Sequence, residues 1–266
     1  MKPLILYHAG CWDGFCAAWV ARMAFGEIEA IPVQYGTEPP NVNDREVYVL
    51  DFSWSRDRLL NLKHDAKTII VLDHHATAAE DLAGLDWCRF DLTKSGGRLA
   101  WEYFDFIGGW QGQVSPWLVD YTEDRDLWRH ALPDSQAVNA ALRSYPLDFA
   151  LWDDFNGRHP SEFVVEGKAI RRREHQIIMD HVHNARERVM DGLEVLVVNA
   201  TVLFSEIAGK LADGRPFGAC YFDRGDGVRV WSLRSDPEGV NVSLIAKAHS
   251  GGGHPHAAGY QEVIGG

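Results

Sequence analysis

Cysteine is scarce in this chain of 266 residues: four in all, Cys11, Cys16, Cys88 and Cys220, with no CxxC pair and no regular spacing among them. That argues against a disulfide framework and a structural zinc knot, and makes reduced thiols in a reducing compartment the expectation. Long apolar runs are missing as well. No stretch approaches the ~20 residues that a membrane span requires, and the opening "MKPLILYHAGCWDG" turns polar too early for a signal peptide. A cytoplasmic protein without a membrane partner is expected. Basic charge is in deficit, 26 lysines and arginines against 38 acids, for a formal net charge of −12. Coating of long nucleic acid depends on neutralising many phosphates, so long duplex DNA is not an expected partner. A short anion remains open, provided metal ions or local arginines reverse the sign at one place. There is no internal repeat and no low-complexity tract.

What is present is ordinary for a soluble globular protein, 46% hydrophobic and 24% charged, at a length that suits two domains of unequal size. Apolar runs at 4–7, 28–33, 47–50 and 68–72 read as strands, with helices at 13–25 and 55–64 and a further one starting near Ser95, weakened by the two glycines that follow it. Strands alternating with helices predict an α/β fold with a parallel, doubly wound N-terminal domain. From Ser161 to Met190 the residues Ile170, Ile177, Ile178, Val182, Ala185 and Val189 recur at helical spacing, which predicts a helical connector. Its "RRRE" at 171–174 reads as a solvated charged face. Beyond Gly192, three strand-like runs, a helix at 240–249 and the segment "SGGGHPHAAG" predict a smaller α+β C-terminal domain. The expected division is therefore 1–145, a connector at 146–191, and 192–266.

Three apolar runs of the first domain each end in a potential metal ligand. His8 follows "LILY", Asp51 follows "VYVL", and Asp73, His74 and His75 follow "IIVL"; Asp13 stands where the chain turns into its first helix. In an open parallel sheet the carboxyl ends of the strands share one edge, where ligands bind, so these distant side chains are expected on one rim. Carboxylates and imidazoles together suit Mn²⁺, Mg²⁺, Co²⁺, Fe²⁺ or Zn²⁺. Acids crowded in a small volume repel one another unless cations lie between them, and two metals about 4 Å apart activate a water and hold both oxygens of a phosphoryl displacement. A lone aspartate after a strand is ordinarily a turn or helix cap, and a lone histidine is ordinarily structural. The same habit at three strand ends is harder to explain that way.

The motifs that carry these residues resemble those of the DHH phosphoesterase superfamily, named for the triplet that stands here as Asp73-His74-His75. "YHAGCWDGF" resembles the first motif, "VLDFSW" the second, "VLDHH" the third and "VDYTEDRDLW" (119–128) the fourth. "SLRS" (232–235) and "SGGGHPHAAG" (250–259) resemble the DHH-associated domain of the nano-RNase and RecJ-like branch. The resemblance implies a metal-bearing N-terminal domain and a C-terminal domain that closes on a nucleotide. It implies that His8, Asp13, Asp51, His74 and an acid of the fourth motif hold two divalent ions, with Asp51 bridging. Manganese is the first expectation, with magnesium, cobalt or iron(II) as alternatives. Asp120, Asp124 and Asp126 compete for the fourth-motif place, and Asp124 is chosen because its surroundings resemble those of a bacterial subgroup. His75 is implied to lie near the scissile phosphate as a contact or proton donor, and Asp73 to ligate or to orient its neighbours. Many members carry aspartate where Cys11 stands. The thiol either binds a softer metal or packs beside the site, and packing or support from behind the ligands is the preferred reading.

In the second domain the consecutive glycines Gly251, Gly252 and Gly253 let backbone amides approach an anion without interference from a Cβ atom. His254 directly after them suits a terminal phosphate or a base, and Arg234, with Ser235 beside it, offers the planar fork that suits phosphate. Arg98 and Trp12 are weaker candidates to face the substrate. The expected function is a metal-dependent phosphoesterase that hydrolyses dinucleotides or short single-stranded oligonucleotides with a metal-activated water. The alternatives are a nucleotide phosphatase acting on 3′-phosphoadenosine 5′-phosphate and a weakly catalytic nucleotide-binding sensor.

Overall fold

Leu4, Ile5 and Leu6 are all fully buried, yet they belong to two different cores: Leu4 and Leu6 pack on one face of a sheet and Ile5 on the other. Side chains of a strand alternate between faces, and a parallel sheet is covered on both, so its strands read as unbroken apolar runs. The strand concerned is β1 (Leu4–His8) of a computed structural model that describes residues 2–264. After it come α1 (Trp12–Phe25), β2 (Glu29–Val33), β3 (Glu46–Leu50), α2 (Arg56–Asp65), β4 (Thr68–Asp73), α3 (Ala76–Asp81) and β5 (Cys88–Phe90). The five strands form one parallel sheet in the order β2-β1-β3-β4-β5. The chain therefore steps from β1 to one side and returns to the other, which makes the gap between β1 and β3 the switch point where such sheets bind ligands.

Four more helices complete this unit: α4 (Gly96–Gly108), α5 (Trp117–Asp126), α6 (Ser135–Leu142) and α7 (Phe149–Asn156). They gather with α1 against Ile5, Tyr48, Leu50 and Leu72, while Leu59 and Leu62 of α2, with Phe52 and Trp54, cover Leu4, Leu6, Val47, Val49 and Val71. Every residue of α1 from Asp13 to Ala21 is buried, the mark of a helix enclosed on all sides. The following helix, α8 (Val164–Asn184), contains the boundary between two compact units, one up to Arg171 and one from Arg172 onward.

The helical connector expected through 190 ends sooner than its spacing implied. Residues Arg186–Met190 form β6, paired antiparallel with β7 (Leu193–Asn199). The two residues between them, Asp191 and Gly192, have φ of +49° and +79°, as a two-residue hairpin turn of the primed type requires. Val189, 70% exposed on β6, had carried the helical spacing into the strand before this turn. Gly192→Ala is expected to cost about 1–2 kcal/mol, because a Cβ atom disfavours the left-handed region. The denaturation midpoint read by circular dichroism checks this, and an unmoved midpoint would speak against the turn.

The second unit continues with α9 (Phe204–Leu211), β8 (Gly218–Asp223), β9 (Val228–Arg234), α10 (Val242–Ala248), β10 (Gly252–His254) and β11 (Ala257–Val263). Its sheet has the order β10-β11-β9-β8-β7-β6, with β7 and β8 parallel and the other pairs antiparallel. The one parallel pair needs a crossover, and α9 provides it, packing Ile207, Ala208 and Leu211 on Val198 and Cys220. Val242 and Ala246 of α10 pack on a separate core containing Val195, Val197 and Leu233. The α/β fold with a smaller α+β unit is thus as the sequence predicts. Among the described residues no helix is long and apolar enough to cross a membrane.

Candidate metal centre

At the switch point, β3 gives way to Asp51, whose backbone is left-handed at φ +54°. A residue other than glycine held there costs of the order of 1–3 kcal/mol, which the surroundings must offset. The Asp51 amide still donates to Leu72 O at 2.9 Å, so the ladder to β4 is kept while the side chain is redirected. The residue is 1% exposed, and its carboxylate meets a different set of groups with each oxygen. Oδ1 lies 3.1 Å from His74 Nε2, whereas Oδ2 accepts from Cys11 Sγ at 3.0 Å and lies 3.5 Å from His8 Nδ1. His8 is the last residue of β1, and its buried Nδ1 makes no hydrogen bond among the described residues.

Asp13, in the first turn of α1, is held from the other side by the start of α4. Gly96 N donates to its Oδ2 at 2.5 Å and Gly97 N to its Oδ1 at 2.8 Å. Helix N-terminal amides favour an anion for want of intrahelical partners. The approach is possible only because both positions are glycine: a Cβ on Gly96 would lie 2.6 Å from Asp51 Cβ, and one on Gly97 2.7 Å from Cys16 Sγ. The two glycines that weaken this helix in the sequence are what let it reach the site.

His74 Nε2 also lies 3.6 Å from Asp13 Oδ2 and 3.6 Å from Asp126 Oδ2. Among the groups whose ligand atoms lie within 4.8 Å of one another are His8–Cys11–Asp51 and Asp13–His74–Asp126, with Asp51, Asp73, His74 and His75 forming a further one. Burial opposes charge on His74, but the Asp51 hydrogen bond and the surrounding carboxylates prevail and raise its pKa to about 10. Asp51 resists its own burial through its bonding to His74 and is held well below the usual carboxylate range. Burial, then repulsion from Asp51 and Asp126, pushes Asp13 well above it, and burial also raises Asp126. Three carboxylates around one imidazole are short of positive charge, and an imidazole nitrogen without a hydrogen bond stands beside them. That donor set fits one or two divalent cations.

Of the three acids of the fourth motif, the structure brings Asp126 beside His74 and not the expected Asp124. Asp124 accepts from the amides of Ala131 at 2.8 Å and Leu132 at 3.4 Å, tying down the loop after α5, and Asp120 takes the guanidinium of Arg98 at 2.5 Å. Asp126 lies 3.6 Å from His74, whereas Asp124, two positions earlier, is turned about 200° away around the helix axis. Asp126→Asn should therefore weaken divalent-ion binding while leaving stability nearly unchanged. Asp124→Asn should lower stability by about 1–3 kcal/mol through its charged loop bonds and leave metal stoichiometry intact. Denaturation combined with elemental analysis of both variants checks this, and the reverse pattern would restore Asp124.

His75 Nδ1 lies 2.6 Å from Asp73 Oδ1, which also accepts from His74 N at 2.7 Å, so Asp73 fixes both the turn after β4 and the His75 ring. Burial lowers the pKa of His75, but Asp73 outweighs it and raises it to about 9. Of the weaker candidates, Arg98 is engaged by Asp120, Glu123 and Ser115, and Trp12 stacks on Trp152.

In the second unit, His254, Ala257 and Arg234 face one another across three adjacent strands. Directly opposed residues share a face, so His254 and Arg234 flank an alanine at about 10 Å, twice the strand spacing. Arg234 Nη2 donates to Ser205 Oγ at 2.7 Å, and Ser235 Oγ donates to Val240 O at 2.7 Å and lies 3.0 Å from His256 Nδ1. Gly252 pairs with Gly259 and Gly253 with Ala258, and a Cβ on Gly251 would lie 2.2 Å from Gly259 O. Gly252 and Gly253 are therefore strand residues, and Gly251 packs closely on β11 just before them.

No protein-family model matches the chain. An uncharacterized protein of Acanthamoeba polyphaga mimivirus is 27% identical over 96% of the chain, which spans 66% of that protein's length. Solved structures of the same fold include the DHH domain of a member of the s1p family of ribosomal proteins, with TM-score 0.58, 13% identity, and 99% of this chain and 83% of that one covered. RecJ of Thermus thermophilus in complex with Mn²⁺ has TM-score 0.55 and 13% identity, covering 97% of this chain and 49% of its own. The pGpG-specific phosphodiesterase PggH of Vibrio cholerae has TM-score 0.54 and 14% identity, covering 99% and 94%. At such identities the likeness is one of fold: the chain is built as DHH-domain proteins are.

Proposed function

We propose that the protein is a metal-dependent phosphoesterase of the DHH type that hydrolyses dinucleotides or short single-stranded oligonucleotides. The observation that carries this reading is Asp51, set in a left-handed backbone at the switch point with one donor group on each carboxylate oxygen. The RecJ structure with Mn²⁺ and the pGpG-specific phosphodiesterase, both of this fold, support it. So does the net charge of −12, which disfavours long nucleic acid.

His8, Cys11 and Asp51 on one side, and Asp13, His74, Asp126 and Asp51 on the other, are the residues assigned to the metals. Two divalent ions there would lower the pKa of a water and neutralise charge on the phosphoryl group. The chain's own part is to orient and to move protons. Gly96 and Gly97 hold Asp13 in place. Asp73 fixes His75 through Nδ1, and the ring is assigned to donate to the leaving oxygen. A pKa of about 9 keeps the His75 ring protonated at neutral pH for that donation. In the second unit, Arg234, Ser235, the Gly251–Gly253 backbone and His254 are assigned to nucleotide binding.

A metal must displace the proton that His74 holds up to about pH 10. Neutral imidazole is the ligand form, so divalent-ion affinity is expected to rise with pH towards that value, with protons released on binding. Calorimetry in buffers of different ionisation enthalpy measures the release; a pH-independent affinity would contradict it. The functional test is a panel with Mn²⁺: a dinucleotide, a short single-stranded RNA, 3′-phosphoadenosine 5′-phosphate and pyrophosphate. Mononucleotide release from the first two supports the reading. Turnover of the phosphomonoester alone would replace it with a nucleotide phosphatase, and binding without turnover with a sensor.

A further inference from the structure

Cys11 occupies the N-cap of α1, with extended backbone at φ −102° and ψ 130°. That position favours an oxygen that accepts from the first helical amides, yet the Cys11 side chain makes no cap bond. Nor does it pack. Cys16 and Cys220 belong to hydrophobic cores and Cys88 lies against one, but Cys11 joins none of those found among the described residues. Its sulfur is turned instead to Asp51 Oδ2 at 3.0 Å, the same oxygen that His8 Nδ1 faces at 3.5 Å. Sulfur, nitrogen and oxygen donors thus converge, each within 4.8 Å of the others, and the imidazole nitrogen among them makes no hydrogen bond. The sequence favoured packing or support from behind the ligands; the bond to Asp51 fits support, and the convergence of donors places the sulfur within reach of an ion held by Asp51 and His8.

We infer that Cys11 is the sulfur ligand of the metal position on the His8 side of Asp51, and that it makes this position selective for a borderline divalent ion (Zn²⁺, Co²⁺ or Fe²⁺) over Mg²⁺. This rests on the metal-dependent reading above. Thiolate selects softer ions, whereas the Asp13–His74–Asp126 side, with only nitrogen and oxygen donors, accommodates Mn²⁺ or Mg²⁺. Loading breaks the Cys11 S–H bond, forms a sulfur–metal bond and releases the proton to solvent. The two positions of one centre therefore differ in metal preference.

The test is titration of the metal-free full chain with Co²⁺, followed by the near-ultraviolet sulfur-to-cobalt charge-transfer band and by elemental analysis. The wild type should show the band; Cys11→Ser should lose it while still binding Co²⁺ on the other side. Cys11→Asp should bind without the band and shift the preference for Zn²⁺ over Mg²⁺ downward by at least about 10-fold, the lower end of what even an outer-shell change brings. Two ions bound by the wild type without a band, or a band that persists in Cys11→Ser, would overturn the assignment and leave the metal centre standing. No Co²⁺ bound by the wild type at all would overturn the centre itself, and the assignment with it. Circular dichroism of each variant establishes that it is folded.

Discussion

Asp51→Asn is expected to abolish phosphoester hydrolysis while the protein remains folded. Asp51 is the one residue that addresses both donor groups, through separate oxygens, so its loss should exceed the about 10–100-fold that removal of an outer-shell partner costs. Stability should respond far less. Asparagine tolerates the left-handed backbone that position 51 requires, and it removes one charge from a cluster that repels Asp13 and Asp126. The loss of the His74 partner works in the opposite direction. Without added metal, the midpoint should lie within about 4 °C of the wild type, some 1 kcal/mol for a chain of this size. Thermal denaturation beside a turnover assay measures both, and an unfolded variant or an active one would each contradict the account.

Gly96→Ala is expected to damage stability and function together. The added Cβ would lie 2.6 Å from Asp51 Cβ, 3.2 Å from Asp51 Cα and 3.0 Å from Asp13 Oδ2. All three belong to enclosed residues with nowhere to move, so overpacking should cost about 1–3 kcal/mol. Relief requires α4 to withdraw, which breaks the amide bonds to Asp13 and spreads the two carboxylates. A displacement of about 1 Å at a reacting site costs on the order of 100-fold in rate, and divalent-ion affinity should fall with it. Gly209→Ala, with nothing within 4 Å of its Cβ, is the control. Equal behaviour of the two variants would mean that the close approach at Gly96 has no functional weight.

How legible the site was depended on how each residue is held. His8, Asp51, Asp73, His74 and His75 each follow an apolar run, and a buried parallel strand announces its end by the change to polar residues. Asp126 gave no such sign. It lies on α5, whose Leu118, Val119, Tyr121, Thr122, Glu123 and Asp124 are all buried, so the helix has no polar face from which to tell which acid points where. Only packing separates them: Asp120 goes to Arg98, Asp124 to the following loop, and Asp126 to His74. The Asp191-Gly192 turn was written in the sequence as a hairpin signal, but Val182, Ala185 and Val189 continued a helical rhythm up to it, through residues that form β6. Gly96 and Gly97 carried the least visible information. Glycine in a first helical turn reads as a propensity penalty, whereas its meaning here lies in contacts to Asp13, 83 and 84 residues away.

The measurement that reaches furthest is diffraction from crystals of the protein soaked in Co²⁺, with anomalous maps recorded at the cobalt edge. Two peaks on either side of the Asp51 carboxylate are predicted, one among His8, Cys11 and Asp51 and one among Asp13, His74, Asp126 and Asp51. Cobalt found only elsewhere, with Asp51 still bonded to His74, would contradict the account.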